Sequence, residues 1–312
     1  MNIISGFPGV EYLVKRTKTF LCHVLRTGPV PGHVAIVMDG NRRFAKKRHQ
    51  ETWEGHNAGF ETLASVLEFC YELGVQAVTV FAFSIENFKR PAYEVDALMK
   101  IVKDKLIQVC ENGDLADQYG LRIRVIGNRS LLPPDVIEVA EKAEKLTRNN
   151  TKAVLNICFP YTSRDDVTNS IRRIVTRAEK GLIDPDSIDE DTIASNMYTG
   201  SCPPLDILIR TSGVERFSDF MLWESQHYTM IEFVNILWPD FNCWHMFKAI
   251  LKWGLQKGNG RYNENLLAND DSDYNLTGDD TLDYDSPSTT FVGDKDTSTD
   301  YYDNDSEETV VE

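Results

Sequence analysis

No stretch of the 312 residues holds eighteen apolar side chains in succession, so no segment reads as a bilayer-spanning helix. Met1 to Arg26 lacks the continuous apolar region of a signal peptide, and the chain is expected to be soluble or peripheral. CxxC pairs are also missing. The six cysteines, Cys22, Cys70, Cys110, Cys158, Cys202 and Cys243, are scattered through mostly apolar stretches and suggest neither a disulfide frame nor a zinc site. A reducing compartment fits this usage. Sequons at Asn128, Asn149, Asn275 and Asn304 carry weight only in a secretory lumen. No Walker loop is present to mark a phosphohydrolase on a doubly wound sheet.

Positive charge is scarce overall, with a net charge of −15, but the deficit is local. Of the 48 acidic and 33 basic residues, 16 and two fall between Arg261 and Glu312, leaving 32 and 31 in Met1 to Gly260. The body is nearly neutral, so anionic partners stay open to it. Residues 259–312 are rich in Asp, Ser, Thr and Asn without helical or strand period, and are expected to be a disordered acidic tail. With 42% hydrophobic residues, the remainder can bury a full core.

Residues 1–30 form an N-terminal amphipathic segment. Val10 to Leu25 mixes Tyr12, Leu13, Phe20, Leu21, Val24 and Leu25 with Lys15, Arg16 and Lys18. This is either a basic helix lying on a membrane or a helix packed on the core. Beyond it, short β-rich runs alternate with helical patterns. Val34–Met38, Val78–Phe83, Arg122–Ile126, Val154–Phe159, Asp206–Arg210 and Met230–Leu237 read as strands. Gly59–Leu73, Tyr93–Tyr119, Pro134–Thr147 and Asp165–Gly181 have helical spacing. The pattern predicts an α/β fold with a central, mostly parallel six-stranded sheet flanked by helices. Ligands of such sheets bind at the carboxyl ends of strands.

Three strand ends carry phosphate chemistry. Val34-Ala-Ile-Val-Met38 runs into Asp39-Gly40-Asn41-Arg42-Arg43. Gly40 permits a tight turn, the next helix offers N–H groups at its start, and the arginines supply forks for phosphate oxygens. A lone Asp39 carboxylate would repel a diphosphate, so the grouping makes sense with a hard cation such as Mg²⁺ between them. On spacing alone, a polar turn with a solvated basic helix explains the stretch equally well. The second strand ends in Ser84-Ile-Glu-Asn87-Phe-Lys-Arg90-Pro91, a site wall or simply a helix-capping turn, since Ser84 can cap and Pro91 can start a helix. The third ends in Arg210-Thr-Ser-Gly213, followed by Arg216 and Ser218, as a phosphate cradle requires.

From His33 to about Phe241 the chain resembles the cis-prenyltransferases, the undecaprenyl diphosphate synthase-like enzymes. The resemblance rests on His33-Val-Ala-Ile-Val-Met-Asp-Gly-Asn-Arg-Arg43, Gly55-His-Asn-Ala-Gly-Phe60 and Phe81-Ala-Phe-Ser-Ile-Glu-Asn-Phe-Lys-Arg90. It continues in Ile209-Arg-Thr-Ser-Gly213 through Phe220-Met-Leu-Trp223 to Leu237-Trp-Pro-Asp240. The paired arginines and Thr27-Gly-Pro-Val-Pro-Gly-His33 are similar to the eukaryotic dehydrodolichyl diphosphate synthase branch. The resemblance implies a catalytic domain over 31–258 that condenses isopentenyl diphosphate onto farnesyl diphosphate repeatedly, with an apolar product tunnel walled by the long helices. It further implies that Asp39 holds Mg²⁺, with Glu232 a second metal-associated carboxylate. Gly40, Asn41, Arg42, Arg43, Phe83 and Arg90 would serve the allylic diphosphate, and Arg210, Arg216 and Ser218 the diphosphate of isopentenyl diphosphate. His56, Ser84 and Asn87 would lie near the reacting ends.

Departures shape the remaining expectations. Thr52 stands where bacterial and mammalian members carry an arginine ahead of Gly55-His56. Self-sufficient members finish with an arginine-x-glycine element, whereas this chain ends Glu308-Thr-Val-Val-Glu312. A Nogo-B receptor-like subunit of the same fold is therefore expected to supply it. The resemblance implies a peripheral place on the cytoplasmic face of the endoplasmic reticulum membrane or on lipid droplets, and no nucleic acid partner. Asp279-Asp-Thr-Leu-Asp283 spells the DDxxD of trans-prenyltransferases, but in an aspartate-rich tail it reads as a chance match. The alternative to an enzyme is a non-catalytic scaffold subunit of the same fold.

Overall fold

The computed structural model describes residues 8–112 and 120–258, and six strands lie among them. They are β1 His33–Val37, β2 Ala77–Phe81, β3 Leu121–Ile126, β4 Ala153–Cys158, β5 Ile207–Arg210 and β6 Met230–Phe233. Their spatial order is β3-β4-β2-β1-β5-β6, and every adjacent pair is parallel. The sheet is thus wholly rather than mostly parallel. Helical crossovers explain this: α2 Asn41–Lys47 and α3 Thr52–Leu73 join β1 to β2, and α4 Ala92–Asn112 leaves β2 toward β3. Then α5 Pro134–Thr147 joins β3 to β4, while α6 Ser163–Glu179 and α7 Glu190–Ser195 join β4 to β5. Residues 211–229 link β5 to β6 without a helix.

Both faces are covered, as parallel sheets require. On one face Val34, Ile36, Val78, Val80, Ile207 and Ile209 meet helices α1 Pro8–Leu25, α3 and α8 Cys243–Gly258. Phe69, Cys70, Ile250 and Trp253 from those helices are fully buried. Full burial of a side chain such as Phe69 or Ile250 contributes about 1.5–3 kcal/mol by leaving water. On the other face Ala35, Val37 and Leu208 pack against Tyr161, Tyr198, Phe220 and Met221. Chain direction then positions the site. From β1 the chain moves toward β2, but from β5 it moves to β6 on the opposite side, so the topological switch lies between β1 and β5.

Several expected bounds shift. The sixth strand stops at Phe233 rather than Leu237 because the chain folds over the β5 turn, where Ser212 N–H donates to Ile236 O at 2.7 Å and Gly213 N–H to Val234 O at 3.0 Å. Helix α3 begins at Thr52, seven residues before the predicted start, and α6 begins at Ser163. Of the helix predicted over Tyr93–Tyr119, residues 113–119 lie outside the described residues, as does the acidic tail. In α1, Leu21, Cys22 and Leu25 enter the core and Lys18 pairs with Glu68 at 2.8 Å, so its last turns pack on the core. The six cysteines form no disulfide. Among the described residues no helix is long and apolar enough to cross a membrane.

Behind the sheet's second face, two acids are buried together. Asp166 of α6 accepts from Tyr198 N–H at 2.9 Å, and Glu224 accepts from Thr199 Oγ1 at 2.7 Å. Their second oxygens, Asp166 Oδ2 and Glu224 Oε2, have no hydrogen-bond partner. Burial pushes both carboxyls up, and the charge of Glu224 adds to the shift on Asp166. A raised carboxyl pKa means the folded state holds the proton more tightly. Its stabilising share is complete below the unfolded value and is lost as pH rises through the folded one. Glu224→Gln, which keeps the Thr199 bond, should therefore melt about 2–6 °C above the parent near pH 8 and close to it near pH 5. Calorimetry at the two pH values checks this, and a gain that does not grow with pH contradicts the buried acid pair.

Candidate active site

Asp39 stands two residues past the end of β1, and Arg210 is the last residue of β5. Val37 and Arg210 are paired in register, so both side chains point to the same face at the switch. Arg210 is only 4% exposed, and its Nη2 donates to Asp39 Oδ2 at 3.1 Å. Its Nη1 donates to Ser218 Oγ at 2.7 Å and to the carbonyl of Arg216. Arg43, one turn into α2, reaches back with Nη2 to Asp39 Oδ1 at 3.4 Å and to Ser212 Oγ at 2.5 Å. Burial alone would raise the Asp39 carboxyl. The hydrogen bonds from Arg210 and Ser212, with the charges of Arg210 and Arg43, outweigh it and hold the group below the usual carboxylate value. Asp39 is therefore a carboxylate at neutral pH, bridging Arg43 to Arg210.

Thr211, absent from the sequence-based set, anchors that bridge. It is fully buried, accepts from Asp39 N–H at 3.0 Å and donates to Asp39 O at 2.7 Å. Two reciprocal bonds fix the Asp39 backbone across the β1/β5 crevice. Gly40 follows at φ 111°, and a Cβ there would sit 3.0 Å from Leu237 Cδ2, so glycine is needed on both counts. Gly59 has a steric reason instead. Its absent Cβ would press into Asn41 Oδ1 and lie 2.9 Å from Trp238 Cδ1, while its carbonyl accepts from Trp238 Nε1 at 2.8 Å. Asn41 donates to Met38 O at 3.3 Å, and its Oδ1 is buried without a partner.

A second cationic corner adjoins the first. Arg42 Nη1 lies 3.5 Å from Glu94 Oε2 in the first turn of α4. Burial lowers the Arg90 pKa, Arg42's charge lowers it further, and Glu94 and Asp39 oppose them. Burial with the charges of Arg90 and Arg42 pushes the His56 imidazole down to about 4, so it is neutral near pH 7. Arg42, Arg90 and His56 thus share one electropositive corner in which Glu94 is the carboxylate.

The remaining expected residues have structural partners of their own. Ser84 caps the short 3-10 turn Ile85–Lys89: its Oγ accepts from Glu86 N–H at 3.2 Å, and its N–H donates to Asn87 Oδ1 at 3.1 Å. Phe83 is a core ring, 1% exposed, against Phe88 and Phe159. Glu232 is registered with Ile209, so it points to the α8 face and pairs with Lys252, away from Asp39. The structure does not gather it with Asp39. Among the described residues no three His, Cys, Asp or Glu side chains could hold a metal between them. Mg²⁺ commonly takes only one or two carboxylates beside substrate phosphates. The ionised Asp39, 32% exposed, fits such a substrate-bridged ion and not an all-protein cage. Cys158 and Arg164 stand at the spacing of a CxxxxxR phosphatase element, but Cys158 is fully buried and burial pushes its thiol well up. It is no nucleophile.

Thr211, Ser212 and Glu94 were legible only as small hydroxyl residues in a turn and as an acid near a helix start. What the sequence cannot supply is that the β1 and β5 ends adjoin. Thr211→Val removes both bonds to Asp39 while keeping the shape, and should cost about 1–3 kcal/mol in denaturant unfolding. It should also lower kcat/KM about tenfold or more, with recovery in Thr211→Ser. A Val variant as active as the parent would show that the Asp39 backbone needs no clamp.

The comparisons with known proteins bear on this geometry. Residues 37–262 match the prenyltransferase family described as "Putative undecaprenyl diphosphate synthase". A dehydrodolichyl diphosphate synthase complex subunit of Schizosaccharomyces pombe is 51% identical over 260 residues, covering 82% of this chain and 98% of that protein. The human subunit of the same description is 44% identical over 250 residues, 78% of this chain and 75% of its own length. Among solved structures, lavandulyl diphosphate synthase from Lavandula x intermedia, in complex with dimethylallyl diphosphate, has a TM-score of 0.67 at 32% identity. That match covers 72% of this chain and 95% of the other. With the wholly parallel sheet and the strand-end arginines, these findings make the chain a member of the cis-prenyltransferase family, a eukaryotic transferase of prenyl groups on the dehydrodolichyl diphosphate synthase branch.

Proposed function

We propose that the chain elongates farnesyl diphosphate by repeated condensation with isopentenyl diphosphate. The product would be a long cis-polyprenyl diphosphate of the dehydrodolichyl type, the precursor of dolichol for protein glycosylation. One observation carries the reading: Asp39 joins two arginine groups at the topological switch, one on each side. Arg42, Arg43 and Arg90 suit the allylic diphosphate, which departs as negative charge builds on it. Arg210, Arg216 and Ser218 suit the diphosphate of isopentenyl diphosphate. Cations fixed beforehand stabilise that developing charge without reorganising. Mg²⁺ held by Asp39 and the allylic diphosphate would supply Lewis-acid stabilisation of the departing group. In this reading His56, held neutral by burial and by the charges of Arg90 and Arg42, lies beside the reacting ends. The growing chain would run along the long helices α3 and α4; Val95, Leu98 and Val102 of α4 are only partly buried, packed against the cluster that holds Met99 and Val136.

The same reading includes a partner subunit of the Nogo-B receptor kind that completes the site with an arginine-x-glycine element. The names of the fission yeast and human relatives as complex subunits support an assembly. It also includes peripheral attachment to the endoplasmic reticulum or lipid droplets.

Radiolabelled isopentenyl diphosphate with farnesyl diphosphate and Mg²⁺, with and without the partner, tests it. The complex should form long products, and Asp39→Ala should lower the rate by roughly 100-fold or more, as should chelation of the metal. Equal product from the variant would overturn the Asp39 assignment. A second measurement follows from the cationic corner. Pyrophosphate bound between Arg42 and Arg90 should raise the His56 pKa from about 4, seen as a shift of its ring resonances in titration by NMR. An unmoved His56 would place the diphosphate elsewhere.

A further inference from the structure

The link from β5 to β6 carries unusual backbone. Ser212, Ser218, Asp219 and Met221 all have positive φ, at 79°, 53°, 58° and 46°. Side-chain-bearing residues persist in that region only where their surroundings over-determine them. Around Ser218 and Asp219 the determining contacts come from the first turn of α6. Ser163 N–H donates to Asp219 O at 2.7 Å, and Leu222 N–H donates to Ser163 Oγ at 3.0 Å. Arg164 grips the Asp219 carboxylate twice, with its backbone N–H at 3.2 Å to Oδ1 and its Nε at 2.7 Å to Oδ2. Asp219 is 12% exposed, so its charge is sheltered and Arg164 is the cation it meets.

We propose that Arg164 is a positioning residue, holding the Ser218–Asp219 corner so that Ser218 and Arg210 present one fixed cradle to the second diphosphate. The proposal rests on the reading of Arg210, Arg216 and Ser218 as the isopentenyl diphosphate end. The connection is short and continuous: Arg164 holds Asp219, the preceding residue Ser218 accepts from Arg210, and Arg210 pairs with Asp39. Arg164 Nη2 also lies 3.6 Å from Glu86 Oε1, in the turn between Ser84 and Arg90. One side chain at the rim therefore ties together the loops that follow β2 and β5. Because its Nε and backbone N–H are committed to Asp219, its effect on substrate passes through that corner.

Kinetics of the complete enzyme with its partner test the role. Arg164→Ala should raise the KM for isopentenyl diphosphate about fivefold, leaving the KM for farnesyl diphosphate and kcat within about twofold. Asp219→Asn should reproduce that pattern, and the double variant should be no worse than either single one, since both break one contact. Arg164→Lys, which keeps the charge and the backbone donor, should recover part of the loss. Hydrogen exchange without substrate should show residues 214–222 less protected in Arg164→Ala. An unchanged isopentenyl KM overturns the proposal, as does an equal rise in both KM values. Full additivity, with Asp219→Asn near the parent, makes Arg164 a direct ligand and overturns it equally. If the parent complex elongates nothing, the functional reading fails, while the exchange experiment still decides whether Arg164 orders the corner.

Discussion

The Asp39–Arg210 ion pair is the constraint on which the rest of the site depends. Arg210 is 4% exposed at the end of a central strand, and a guanidinium there is tolerable only with a counter-charge. Asp39 supplies the charge at Nη2 and Ser218 and the Arg216 carbonyl accept from Nη1, while Nε is buried without a hydrogen-bond partner. Everything nearby serves this arrangement. Thr211 locks the Asp39 backbone, Gly40 lets the chain turn beneath Leu237, and Arg43 closes the other side through Ser212. The pair therefore organises the strand ends around it: the carboxylate that neutralises Arg210 also reaches Arg43, so one acid joins the two arginines across the β1/β5 crevice.

Electrostatics divides the crevice. Asp39 sits between Arg43 and Arg210 and stays ionised against its own burial. Arg42, Arg90 and His56 lie in a neighbouring corner where positive charge is offset by Glu94, and the imidazole is driven neutral. Cations outnumber carboxylates in both places. Such an excess destabilises the empty protein slightly and becomes favourable when an anion arrives, which is the pattern of a site preorganised for charge that develops during reaction.

Many features were legible in the residues. Val34-Ala-Ile-Val-Met38 had to be a buried strand because nothing in it tolerates water, and the turn chemistry after it pointed to phosphate. Ser84 and Asn87 show the limit of such reading. Their residue types suit both a substrate wall and a cap, and the structure engages both in a capping box. Glu232 shows another limit. A one-residue difference in register decides which face a strand residue takes, and its pairing with Ile209 sends it to Lys252. Thr211 is not legible locally, because its value comes wholly from a partner 172 positions away.

The sequence by itself determined the class of fold, the six strands and the family they resemble, and it raised the expectation of phosphate binding at the strand ends. These are local properties, written in hydrophobic runs, turn residues and short motifs. Only the tertiary structure decided that β1 and β5 are neighbours, that their connections diverge, and that Asp39 therefore meets Arg210. It also decided that Arg164, outside the motifs that carry the family resemblance, grips the corner beside Ser218. Such contacts join residues far apart along the chain, and their geometry follows from strand order and register, which no local pattern encodes.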